Sequence, residues 1–181
     1  MQMSFTIFLA LDPYLAQWLT HESGGSPLIQ IKRNSAEADI LELYLKPQPK
    51  APGYVPQLRP LEGEVTIELP WFKYKDIRTY NYLDERGKQL LKHCIRNRFL
   101  VQLWRDLMTV RNVVRRTDET IIEWMDRHGI EYDERNWNAI AKILQRKRAI
   151  YGPLKKSSPN QQPTSIHFCP RCESHSPESN Q

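Results

Sequence analysis

The sequence predicts an α+β fold: a small sheet with two helices, followed by a three-helix, helix-turn-helix-like part and a disordered tail. Three observations predict it. Apolar residues recur with strand and helix periods in turn through residues 1–82, and with the helical period alone through residues 83–152. From residue 153 to 181 the periodicity disappears into a stretch rich in Ser, Pro, Asn and Gln, with little to bury. The chain therefore divides into a small α+β part (1–82), a basic helical part (83–152) and a flexible tail (153–181) carrying a Cys-x-x-Cys cluster.

Phe5, Ile7, Leu9 and Leu11 mark one face of a first strand. Phe8 and Ala10 make the other face apolar too, as in a strand covered on both sides. Asp12-Pro13 starts a helix, since Asp caps well and Pro suits the first turn. Leu15, Trp18 and Leu19 form its stripe, and Gly24-Gly25 stops it. A short strand at Leu28–Ile31 precedes a second helix, capped by Ser35, striped by Ile40, Leu41, Tyr44 and Leu45, and ended by Pro47. Five prolines between Lys46 and Gly63 exclude helix and central strand, leaving an extended surface loop. Val65, Ile67 and Leu69 alternate with Glu64, Thr66 and Glu68, a half-exposed strand. From Trp71 to Tyr82 aromatics interleave with cations.

In the basic part, Leu91, Ile95, Phe99, Leu103 and Leu107 form an i+4 ridge. Leu90, Cys94, Val101, Trp104 and Met108 lie alongside, a surface broad enough for a central helix covered on several sides. Arg111–Arg116 is a basic connector. Thr117 caps the next helix, with Asp118 and Glu119 in its positive first turn, Ile121, Ile122, Trp124 and Met125 inward, and Gly129 as the stop. A third helix begins near Asp133, with Trp137, Ile140, Ala141, Leu144 and Tyr151 inward, and ends at Gly152-Pro153.

With 181 residues and a hydrophobic fraction of 40%, the chain is long enough for a buried core. The apolar stretch at Phe5–Leu11 is too short to cross a membrane and lacks a preceding basic region, and three cysteines make no disulfide framework. A cytoplasmic protein without a membrane partner is expected. The net charge of +5 resolves into −3 for residues 1–85, +7 for 86–152 and +1 for the tail. Such concentration of cations in one segment is a footprint of a polyanionic partner.

The third helix supplies the candidate interface. Arg135, Asn138, Lys142, Gln145 and Arg146 fall in one sector opposite its apolar stripe, with Lys147 and Arg148 flanking, and Arg115 and Arg116 in the connector add charge. Asn, Gln and Arg make paired contacts to adenine and guanine edges in the major groove, while Lys neutralises phosphate. The connector from Gly129 to Tyr132 is longer than a tight helix-turn-helix turn, and Glu131, Asp133 and Glu134 sit where phosphate would first approach. A solvated helix face of the same composition is the plainer alternative.

The aromatic-basic stretch offers either stacking surfaces for single-stranded bases or residues packed in a seam between subdomains. In the tail, His167, Cys169, Cys172 and His175 are four soft ligands within nine residues, either half of a zinc site or free thiols. No carboxylate spacing, Gly-rich phosphate loop or nucleophile elbow marks catalysis, so the chain is read as a non-enzyme without a required cofactor. The expected function is nucleic-acid binding, double-stranded DNA foremost, in an accessory or regulatory role. The alternative is a protein-interaction or assembly module, self-association included, with an incidental basic surface. A small α+β part followed by a basic helical part resembles the accessory DNA-binding proteins of bacterial mobile elements and phages, and that resemblance implies the same role.

Overall fold

The computed structural model describes residues 5–50, 55–107 and 117–151. The predicted tail at 153–181, the basic connector with Arg115 and Arg116, and the cluster of His167, Cys169, Cys172 and His175 lie outside the described residues. Within them the fold is mixed α+β, as predicted, with ten elements. These are β1 (Thr6–Ala10), α1 (Pro13–Glu22), β2 (Leu28–Gln30), α2 (Ala36–Tyr44), β3 (Leu45–Pro47), β4 (Glu64–Glu68), β5 (Tyr80–Leu83), α3 (Glu85–Leu107), α4 (Thr117–Arg127) and α5 (Glu134–Tyr151).

The larger sheet has the order β1-β4-β2, with β4 antiparallel to β1 and parallel to β2. Its register sets both Ile7 and Ile29 opposite Ile67, so three buried isoleucines cross the sheet in one row. Consecutive burial of Ile7, Phe8 and Leu9 matches the two-sided apolar pattern of β1. Where Pro47 was expected merely to end a helix, Leu45–Pro47 instead pairs with β5 in a second, two-stranded sheet. Three residues ending in a proline are too few to show a strand period.

Ser35 caps α2 as predicted, its hydroxyl accepting from the Ala38 N–H at 3.2 Å. At α1, Asp12 occupies the cap position in an extended conformation without a side-chain cap bond, so Pro13 supplies the start. Asp84 caps α3 unannounced: its carboxylate accepts from the Gly87 N–H at 2.8 Å and pairs with Lys46. The Lys46 ammonium, and then the Gly87 N–H, hold that carboxyl below the usual range.

The α3 ridge Leu91, Ile95, Phe99, Leu103 and Leu107 is buried throughout, but Val101 is 67% exposed, so cover is confined to a narrower face than predicted. Phe99 ties three helices together, its ring centroid lying 5.2 Å from Tyr14, 5.3 Å from Trp18 and 5.6 Å from Trp124. One apolar core runs from Ile7 of β1 to Leu144 of α5. Met1–Gln145 forms one compact unit and Arg146–Gln181 a second.

Candidate nucleic-acid interface

The turn between α4 and α5 decides how α5 is presented. The Ile130 N–H donates to the Met125 carbonyl at 2.9 Å and the Gly129 N–H to that of Asp126 at 3.2 Å, with Gly129 at φ +64°. This is a Schellman stop, and its companion apolar contact is supplied by buried Ile130 and Met125. The predicted Gly129 stop is therefore present. A Cβ on Gly129 would lie 2.5 Å from His21 Cδ2, so the turn is also pressed against α1.

α5 begins near Asp133 as the sequence predicts, and a buried amide that the sequence did not single out holds that start in place. Asp133 caps it, accepting from the Asn136 N–H at 2.7 Å. Asn136 is 1% exposed, and its amide donates to Gln17 Oε1 of α1 and to the Glu131 carbonyl at 3.2 and 3.0 Å. Gln17 Oε1 also receives the Glu131 N–H at 3.0 Å. The inner line is thus Asn136, Ile140 and Leu144, with Trp137 and Ala141 only half-buried. Only the i+4 spacing from Asn136 to Ile140 and Leu144 hinted at this phase.

Opposite that line lie the predicted contact residues. Arg135, Lys142 and Gln145 are exposed and Asn138 is half-buried. Arg146 and Lys147 begin the second unit, where Arg146 is exposed. Lys147, expected to flank the outward sector, is half-buried. No ion pair among the described residues engages Arg135, Lys142 or Arg146. No Asp or Glu occurs between Arg135 and Tyr151.

The cations of α3 are partly committed elsewhere. Arg98 Nε stands 3.2 Å from Glu37 Oε1, and the guanidinium lies 5.1 Å from the Trp18 ring centroid. Glu37 is 2% exposed, so Arg98 compensates a buried charge. Arg105 Nε lies 3.4 Å from Asp106 Oδ1.

Beside the α5 start the sign reverses. Glu119, Ile122, Glu123 and Asp126 of α4, with Ile130, Glu131 and Tyr132 of the turn, line a groove of about 500 Å³. Ile122 is 40% and Tyr132 62% exposed. Glu119 and Glu123 stand four residues apart on α4, and folding brings Glu131 and Tyr132 of the turn to the same groove.

A second polar cluster joins α1, α3 and α4. His128 Nε2 lies 3.4 Å and the Trp124 indole N–H 3.2 Å from Asp106 Oδ2, while Gln102 Nε2 is 3.4 Å from His128 Nδ1. Burial holds the imidazole below its ordinary pKa despite Asp106 and Glu22. Among the described residues no group of His, Cys, Asp and Glu is arranged to hold a metal ion. No helix among them is long and apolar enough to cross a membrane.

Against protein-family models, curated proteins and solved structures, the chain has no match.

Proposed function

We propose that the protein binds nucleic acid, duplex DNA foremost, as a non-enzymatic accessory or regulatory factor, through the outward face of α5. The observation that carries this reading is the exposure of Arg135, Lys142 and Gln145 opposite the buried Asn136/Ile140/Leu144 line, with no carboxylate on the helix after Glu134. Unpaired cations neutralise phosphates and release their counterions, and Gln145 has the paired donor and acceptor that read an adenine edge. The Asp133 cap and Glu134 oppose phosphate at the first turn, where Arg135 offsets them, while Lys142 and Gln145 lie on later turns that carry no carboxylate. The role resembles that of accessory proteins of mobile elements and phages.

The test is a titration of a labelled duplex between roughly 50 and 200 mM salt, comparing wild type with folded Arg135→Ala/Lys142→Ala protein. Log affinity is expected to fall linearly with log salt, and the double substitution to flatten the slope by about two units. Absence of binding at the lower salt, or an unchanged slope, removes the reading. One observation favours a second reading, a protein-interaction module: the acidic groove with exposed Ile122 and Tyr132 suits a basic partner segment bearing an aliphatic anchor. Loss of such a partner on Ile122→Ala, with no duplex binding, would support it.

A further inference from the structure

The stretch between β4 and β5 divides its side chains in a way that the packed-seam alternative does not account for. Ile77 is 1% exposed and Phe72 packs against the core, so these two anchor the segment. Tyr74, however, is 80% exposed and Trp71 42%. Two large aromatic surfaces therefore meet solvent at positions three residues apart, with Cα atoms at most about 11 Å from each other.

The segment that holds them is tied down. Lys75 Nζ donates to the Leu43 and Leu45 carbonyls at 3.2 and 3.0 Å and sits 5.8 Å from the Tyr80 ring centroid. The Thr79 and Tyr80 N–H groups donate to the Asp76 carbonyl, the Arg78 N–H to Asp76 Oδ1 at 3.0 Å, and Asn81 Nδ2 to the Arg78 carbonyl at 3.4 Å. Little ordering remains to be done when a ligand arrives. Lys73 Nζ lies 5.1 Å from the Tyr74 ring centroid, and Lys73 and Arg78 are exposed. Asp76, the one acidic residue in the sequence from Trp71 to Tyr82, already accepts a backbone N–H.

We propose that this segment is a stacking platform for a single-stranded nucleic acid, with Tyr74 and Trp71 taking unpaired bases and Lys73 and Arg78 the adjoining phosphates. Aromatic faces beside cations are what a single strand needs, because every base has a flat face and every linkage a charge. A duplex does not offer that face, its bases being stacked on each other. The ligand class rests on the nucleic-acid reading above, but the residues are different. The protein would then hold duplex and unpaired strand on separate surfaces.

The experiment titrates the full chain with a labelled thymidine oligonucleotide of about 15 nucleotides and, separately, with a duplex. Tyr74→Ala is expected to weaken binding of the oligonucleotide by about 5- to 150-fold and to leave duplex affinity unchanged, with Tyr74→Phe close to wild type. Trp71→Ala should act in the same direction. An exposed side chain such as Tyr74 is replaced without unfolding the protein. No binding of the oligonucleotide, or equal binding by Tyr74→Ala, overturns the platform, including in favour of a protein partner at this surface. Duplex binding that survives in that case leaves the α5 reading standing. Oligonucleotide binding lost in Tyr74→Ala without any duplex binding removes α5 and keeps the platform.

Discussion

Gly129→Ala tests whether the α4–α5 turn is held by its backbone alone or also by its contact with α1. The backbone contribution follows from φ +64°: a side-chain-bearing residue in the left-handed region costs roughly 1–2 kcal/mol. A steric contribution adds to it, because the new Cβ would lie 2.5 Å from His21 Cδ2, 2.8 Å from Cγ and 2.9 Å from Cβ. His21 is exposed and its ring can swing aside, at about 0.5–1.5 kcal/mol for an off-rotamer position. The sum is about 1.5–3.5 kcal/mol. Gly63→Ala is the matched control, with φ +81° and nothing within 4 Å of its Cβ, so it should lose only the backbone part. Urea unfolding followed by far-ultraviolet circular dichroism measures both. In the Gly129→Ala background, His21→Ala removes the two ring contacts and should return about 0.5–1 kcal/mol as a coupling energy. Equal losses at Gly63 and Gly129, with no recovery, would refute the claim that α1 braces the turn.

Two further outcomes follow from the same region. His128 has a lowered folded pKa, so below the unfolded value of about 6.5 the unfolded chain binds more protons and stability falls as pH drops toward the folded value. The urea midpoint should therefore be lower at about pH 5.5 than at about pH 7.5, and His128→Gln should remove that difference. Asn136→Ala leaves the Gln17 and Glu131 acceptors short of a donor and should cost about 1–3 kcal/mol, whereas Asn136→Asp should cost more because it sets a carboxylate against them; thermal unfolding ranks the two.

Local chemistry was the legible part of this fold. Ser35, Pro13, Gly24-Gly25 and Gly129 act within a few residues of themselves, so their effects follow from the residues alone. The pairing of β4 with both β1 and β2 was not legible, because strand order depends on contacts across dozens of residues. Glu37 escaped notice for a related reason: its burial depends on Arg98, far along the chain. At the candidate interface the exposed set of Arg135, Lys142 and Gln145 was visible from helical phase. The true inner line was not, since the buried Asn136 amide finds its acceptors in Gln17 on α1 and the Glu131 carbonyl. Tyr74 looks the same in sequence whether packed or exposed, and only the placement of Ile77 and Phe72 as anchors decides between them.

A single core from Ile7 to Leu144 has a consequence for synthesis. β1 leaves the ribosome early, but its hydrogen-bonding partner begins at Glu64, and Gln17 meets Asn136 only after most of the chain has been made. Chains grow N-terminus first, and contacts distant in sequence close slowly, so the apolar residues of β1 and α1 wait without their partners. The nascent protein thus passes through an interval in which these apolar residues are open to aggregation. A truncation that removes α5 leaves β1 its partner in β4 but takes from Gln17 of α1 its contact with Asn136, and should lower the yield of folded protein.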